Sequence, residues 1–63
     1  MTRALSYGEI VACAEEFDKQ KSALGIAFES YEREEEAQLA FMEEYANGND
    51  DPQLSEIITM YNF

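Results

Sequence analysis

At 63 residues the chain has room for one small domain. A chain this short buries only about 60% of its unfolded surface, so oligomerisation is a usual remedy for its marginal core. Fourteen acidic residues against four basic ones leave a formal charge of −10. That balance argues against direct contact with nucleic acid or an anionic membrane, both of which select clustered Lys and Arg, and it favours basic partners.

The remaining composition narrows the class further. An apolar fraction of 46%, with four Tyr and four Phe, is too rich for a disordered chain. No run of eighteen apolar residues suggests a membrane span. Met1 to Leu5 lacks the apolar centre of a signal peptide. Cys13 is the sole cysteine, so no intrachain disulfide can form, and a reducing cytoplasm is the expected compartment.

Met1 to Leu5 reads as a short frayed lead-in. Ser6, with Glu9 three residues on, fits a capping box that opens a helix. From there to Asn47-Gly48, which suit a left-handed C-cap, the chain has no proline and consists mostly of good helix formers. Apolar side chains recur at spacings of three and four. One row is Ile10, Phe17, Leu24, Tyr31, Gln38 and Tyr45; the other is Tyr7, Ala14, Lys21, Phe28, Glu35 and Met42. This is the seam of a coiled coil with three polar interruptions. The stretch 6–47 therefore reads as one long helix, roughly 60 Å from end to end. The alternative hinges it near Gly25, with Ser22 capping a second helix. Continuity is favoured because the seven-residue spacing passes Gly25 without a slip.

A lone long helix cannot bury its own stripe. The seam thus predicts a homodimer through Ile10, Ala14, Phe17, Lys21, Leu24, Phe28, Tyr31, Glu35, Leu39 and Met42. Antiparallel pairing would bring Lys21 of one copy to the Glu35 region of the other. Within the acidic segment 29–44, Glu29 and Arg33 form the only opposite-sign pair at four-residue spacing. Asn47 to Asp51 reads as a loop. Asp51-Pro52 then suits the N-cap and first turn of a short helix over about 52–61, with Leu54, Ile57, Ile58 and Tyr61 on one face. The expected fold is all-α: a helical hairpin of one long and one short helix in a single domain.

Catalytic patterns are missing. Without histidine, and with one cysteine, neither a Cys-His pair nor a Ser-His-Asp triad can be assembled. The carboxylates belong to a solvated surface rather than to a tuned acid–base pair. Asn47 to Asp51 lacks the alternating ligands and the twelfth-position Glu of a calcium loop. Cys13, beside Ile10 and Phe17, is expected to be a buried inert thiol. No enzyme activity, cofactor or metal is expected. Candidate partner-contacting residues are the run Glu34, Glu35 and Glu36, with Phe41 and Phe63 as aromatics outside the seam.

The run Ser6-Tyr7-Gly8-Glu9-Ile10-Val11-Ala12-Cys13-Ala14-Glu15-Glu16-Phe17, in a short acidic helical chain, resembles small early open-reading-frame proteins from the exo–xis region of lambdoid bacteriophages. The resemblance implies a non-enzymatic early protein that alters host or phage regulation through protein contacts, in the cytoplasm of the bacterial host. Two further readings come from the residues themselves. One is a DNA mimic that spaces carboxylates along a rod to block a nucleic-acid-binding protein. The other is a purely structural assembly module.

Overall fold

The computed structural model describes residues 3–61 and contains three helices, with no strand among those residues. They are α1 (Tyr7–Leu24), α2 (Tyr31–Ala46) and α3 (Leu54–Tyr61). Helix α1 starts as its sequence dictates. The Ser6 hydroxyl accepts from the Glu9 amide at 3.2 Å, and the Glu9 carboxylate accepts from the Ser6 amide at 3.0 Å. Two orphan donors of the first turn are thereby satisfied.

The continuous helix over 6–47 is corrected here. Gly25 adopts φ +67, in the left-handed region, and stops α1. Its amide donates to the Ser22 carbonyl, and the next amide, of Ile26, donates to the Lys21 carbonyl. This pair of bonds is the Schellman stop. The motif recurs at the end of α2. There Gly48 takes φ +106 and donates to Tyr45, while the Asn49 amide donates to Glu44. Asn47 itself, expected to share the left-handed turn, stays at φ −85. The hinge alternative had the right place and the wrong cap. Ser30, not Ser22, opens α2, by accepting from the Arg33 amide at 3.2 Å.

Breaking the rod lets the chain cover its own stripe. The longest extent of the described chain is 29 Å, about half that of the unbroken helix. Lys21 near the end of α1 meets Glu34 near the start of α2, and the Arg3 amide before α1 donates to the Ala46 carbonyl at the end of α2. The two helices thus run antiparallel within one chain. The lead-in is anchored at Arg3 rather than frayed there.

The core combines all three helices: Cys13 and Phe17 from α1, Ala37, Ala40 and Phe41 from α2, Leu54 and Ile57 from α3. Phe17 is its centre. It stacks on Phe28 at 6.1 Å between ring centroids and meets Phe41 edge-on at 5.8 Å. Both geometries suit the aromatic quadrupole. Phe28 comes from the linker between α1 and α2, and Ile26 of the same linker also packs on the core. Ala37 and Ala40 are small enough for close helix approach.

Helix α3 begins at Leu54, two residues later than Pro52. The Asp51 cap is replaced by a side chain from another helix. Gln20 of α1 accepts from the Leu54 amide at 2.7 Å through its carbonyl oxygen and donates to the Pro52 carbonyl at 3.1 Å through its amide. A single residue thereby satisfies two backbone groups at the start of α3. Leu54, Ile57 and Ile58 face inward as the sequence implies, whereas Tyr61 is exposed.

Candidate partner surface

The carboxylates sit outside. No charged residue is buried among those described, and three ion pairs form there: Arg3–Glu9, Lys21–Glu34 and Arg33–Glu36. Three of the four bases are therefore engaged with acids of their own chain, and the fourth, Lys19, is exposed on α1. Of the fourteen acids, three have an ion-pair partner among the described residues, so the remaining charge faces solvent.

The first pair is the most organised. Arg3 donates to both oxygens of Glu9, at 3.0 and 2.7 Å, while its guanidinium lies 5.2 Å from the centre of the Tyr45 ring. The Arg3 hydrogen bonds, followed by the Ser6 amide, hold the Glu9 carboxyl down at about 2. Glu9 thus caps α1 and ties the lead-in at once. In the second pair Lys21, expected to meet the Glu35 region of another copy, is joined to Glu34 of its own chain. The third replaces the expected Glu29–Arg33 pair. Glu29 lies in the linker before α2, and Arg33 instead reaches Glu36 at 3.5 Å.

The remaining residues proposed from the seam divide. Phe17 is spent on the internal core, and Phe28 packs against it. Ala14 and Met42 are half-buried, with Met42 also on the core. Ile10, Leu24, Tyr31, Leu39 and Glu35 are exposed. Among the candidate contact residues, Glu35 and Glu36 are exposed and Glu34 is half-buried in its ion pair. Phe41 is corrected: at 1% exposure it belongs to the core and offers nothing to a partner. Phe63 lies outside the described residues. On the outer side of α2, Glu32, Glu35 and Glu36 surround Leu39 in a shallow depression, and Leu39 is 59% exposed.

A second concavity was not foreseen. Between α1 and the loop that joins α2 to α3 lies an open groove of about 250 Å³. Cys13, Phe41, Tyr45 and Pro52 supply apolar walls, and Glu16, Asp50 and Asp51 supply carboxylates. The sequence places these residues nearly forty positions apart, so only the fold unites them. Burial pushes the Cys13 thiol up, nearby Glu9 adds to the rise, and Arg3 partly offsets it. The thiol therefore stays protonated at neutral pH and is a poor nucleophile. No group of three or more His, Cys, Asp or Glu among the described residues is arranged to hold a metal ion. No helix among them is long and apolar enough to cross a membrane.

Comparison with family models, with curated proteins and with solved structures finds no match for this chain.

Proposed function

We propose that the chain is a small non-enzymatic regulator that acts by binding a protein through its acidic surface. The observation that carries this reading is the outward charge: eleven of fourteen acids lack an ion pair among the described residues, and none is buried. Such a surface steers basic partners at low ionic strength. The phage resemblance supplies a setting, in which a host or phage protein in the bacterial cytoplasm is the target during early lytic development. Self-association through exposed Ile10, Leu24, Tyr31 and Leu39 is a second element of the same proposal.

The DNA-mimic reading ranks lower. It relied on carboxylates spread along a rod of roughly 60 Å, and the described chain extends 29 Å.

The test is immobilisation of the full chain in a bacterial lysate, with the triple variant Glu32→Gln, Glu35→Gln, Glu36→Gln beside it. A specific protein should be retained at low salt by the parent and lost from the variant and at high salt. Retention of nucleic-acid-binding proteins that free duplex DNA displaces would establish the mimic instead. Equal retention by parent and variant would overturn the acidic-surface reading. Light scattering over a range of concentrations decides self-association by the mass it returns.

A further inference from the structure

We propose that Asn47–Gly48 is a deamidation site whose reaction is gated by the helix stop that ends α2. The inference does not depend on what the chain binds.

Of the three asparagines, only Asn47 is followed by glycine. The reaction at such a step needs no enzyme. The Gly48 amide nitrogen loses its proton to base and attacks Cγ of the Asn47 side chain. A new C–N bond closes a five-membered succinimide, and the side-chain nitrogen leaves as ammonia. Water then opens the ring at either carbonyl. The product carries aspartate or isoaspartate at position 47, and one more negative charge. A side chain on the following residue would crowd the attacking nitrogen, and Gly48 has none. The fold cannot dispense with this glycine, because it takes φ +106, which other residues rarely adopt. The stop that ends α2 thus sets the least hindered follower beside an exposed asparagine.

The same stop holds the reacting atoms apart. The Gly48 amide donates to the Tyr45 carbonyl at 3.1 Å, and the amides on either side, of Asn47 and Asn49, donate to Glu43 and Glu44 at 2.9 and 3.1 Å. Asn47 has ψ 4, so the Gly48 nitrogen eclipses Asn47's own amide nitrogen and is turned away from Cβ. Ring closure needs it beside Cβ. The Asn47 ψ must therefore rotate and the bond from Gly48 to Tyr45 must break. Little resists that rotation from outside. Residues 47–51 are all exposed, and a Cβ built on Gly48 would meet nothing within 4 Å. The turn can open locally while the core stays packed. Once formed, the product weakens the stop. Its carboxylate lies at the negative end of the α2 dipole, four residues from Glu43. Isoaspartate also lengthens the main chain by one carbon inside the hydrogen-bonded turn. Asn49 is an internal control, since Asp50 follows it and its Oδ1 accepts from the Asp51 amide at 3.1 Å.

The test is incubation of the full chain in mildly alkaline buffer beside a synthetic peptide of residues 43–53, in which the stop is not held by a helix. Peptide mapping by mass spectrometry locates amide converted to acid, and an isoaspartyl methyltransferase counts isoaspartate. The full chain should convert at position 47 and not at 49, about tenfold more slowly than the peptide, because only the opened turn reacts. Both products should appear, and urea should raise the rate to that of the peptide. The variant Asn47→Ser should accumulate no isoaspartate. Asn47 left intact long after the peptide is spent would overturn the site. A full chain as fast as the peptide would overturn the gating. Aspartate without isoaspartate would overturn the succinimide route, and equal conversion at Asn49 would overturn the part given to Gly48.

Discussion

The two ends of the three-helix unit are fastened by different physics. At the end where the described chain begins, Arg3, Ser6, Glu9 and Tyr45 are joined by charge and by a cation over a ring, on the surface. At the opposite end, Gln20 locks the start of α3, and Ile26 and Phe28 fold inward after the Gly25 turn. The first end depends on protonation and salt. The second depends on volume and on satisfied backbone groups. An exposed charge pair is worth little in water, whereas a buried ring or an unpaired buried amide is worth several times more.

That contrast can be broken from its strong side first. Phe17→Ala removes the ring that meets both Phe28 and Phe41, and should cost about 3–5 kcal/mol. For a domain of this size that loss approaches the whole stability. Thermal melts followed by circular dichroism should show the cooperative transition lost, and a well-folded variant would refute the central place given to this ring.

Gln20→Ala is the next largest. It leaves the Leu54 amide and the Pro52 carbonyl without their partner, at a cost of about 1–3 kcal/mol. The effect should be local. Hydrogen exchange should accelerate in α3 and leave the middle of α2 nearly unchanged; uniform acceleration would mean that Gln20 supports the whole core instead.

At the charged end the effect is smaller and depends on pH. Glu9 is held at about 2, below the ordinary 4.5 of a glutamate, so the folded state binds its proton less readily than the unfolded chain. Its contribution is full above about pH 4.5 and fades as the pH falls toward 2. Glu9→Gln retains a residue able to cap Ser6 but gives up the charge facing Arg3. The parent should therefore be the more stable at pH 7, and the two denaturation midpoints should converge near pH 2. Midpoints that stay parallel across that range would remove Arg3–Glu9 from the account.

How much of this was legible in the sequence follows the same division. The capping box needs only Ser6 and Glu9 three residues apart, and local spacing displays it. The inward face of α3, Leu54, Ile57 and Ile58, is likewise a local pattern. The Gly25 break was harder. The heptad spacing continues through it, since Leu24 and Tyr31 keep register whether or not a helix connects them. The deciding signal was the apolar residue just after the glycine: Ile26 packs on the core from the position that follows a Schellman stop. Phe41 was misplaced for a related reason. Judged against a seam between two copies it lay to one side, but once α2 folds back on α1 that side is the interior. The acidic surface was legible from composition. The groove was not, because Glu16 and Asp51 meet only after three helices have packed.

The clasp at Gln20 also orders events in time. A short helix is unstable alone, and the two groups that Gln20 secures lie thirty-two and thirty-four positions further along the chain. Helix α3 therefore cannot be fixed until α1 exists and the α1–α2 pair has closed. It should be the last element to form and the first to open. In a folding transition state its side chains should still behave as though unfolded, while Phe17 and Phe41 already behave as native. The groove's loop wall, Asp50 to Pro52, would then be completed only in that final step, so the groove belongs to the finished fold and to none of its precursors.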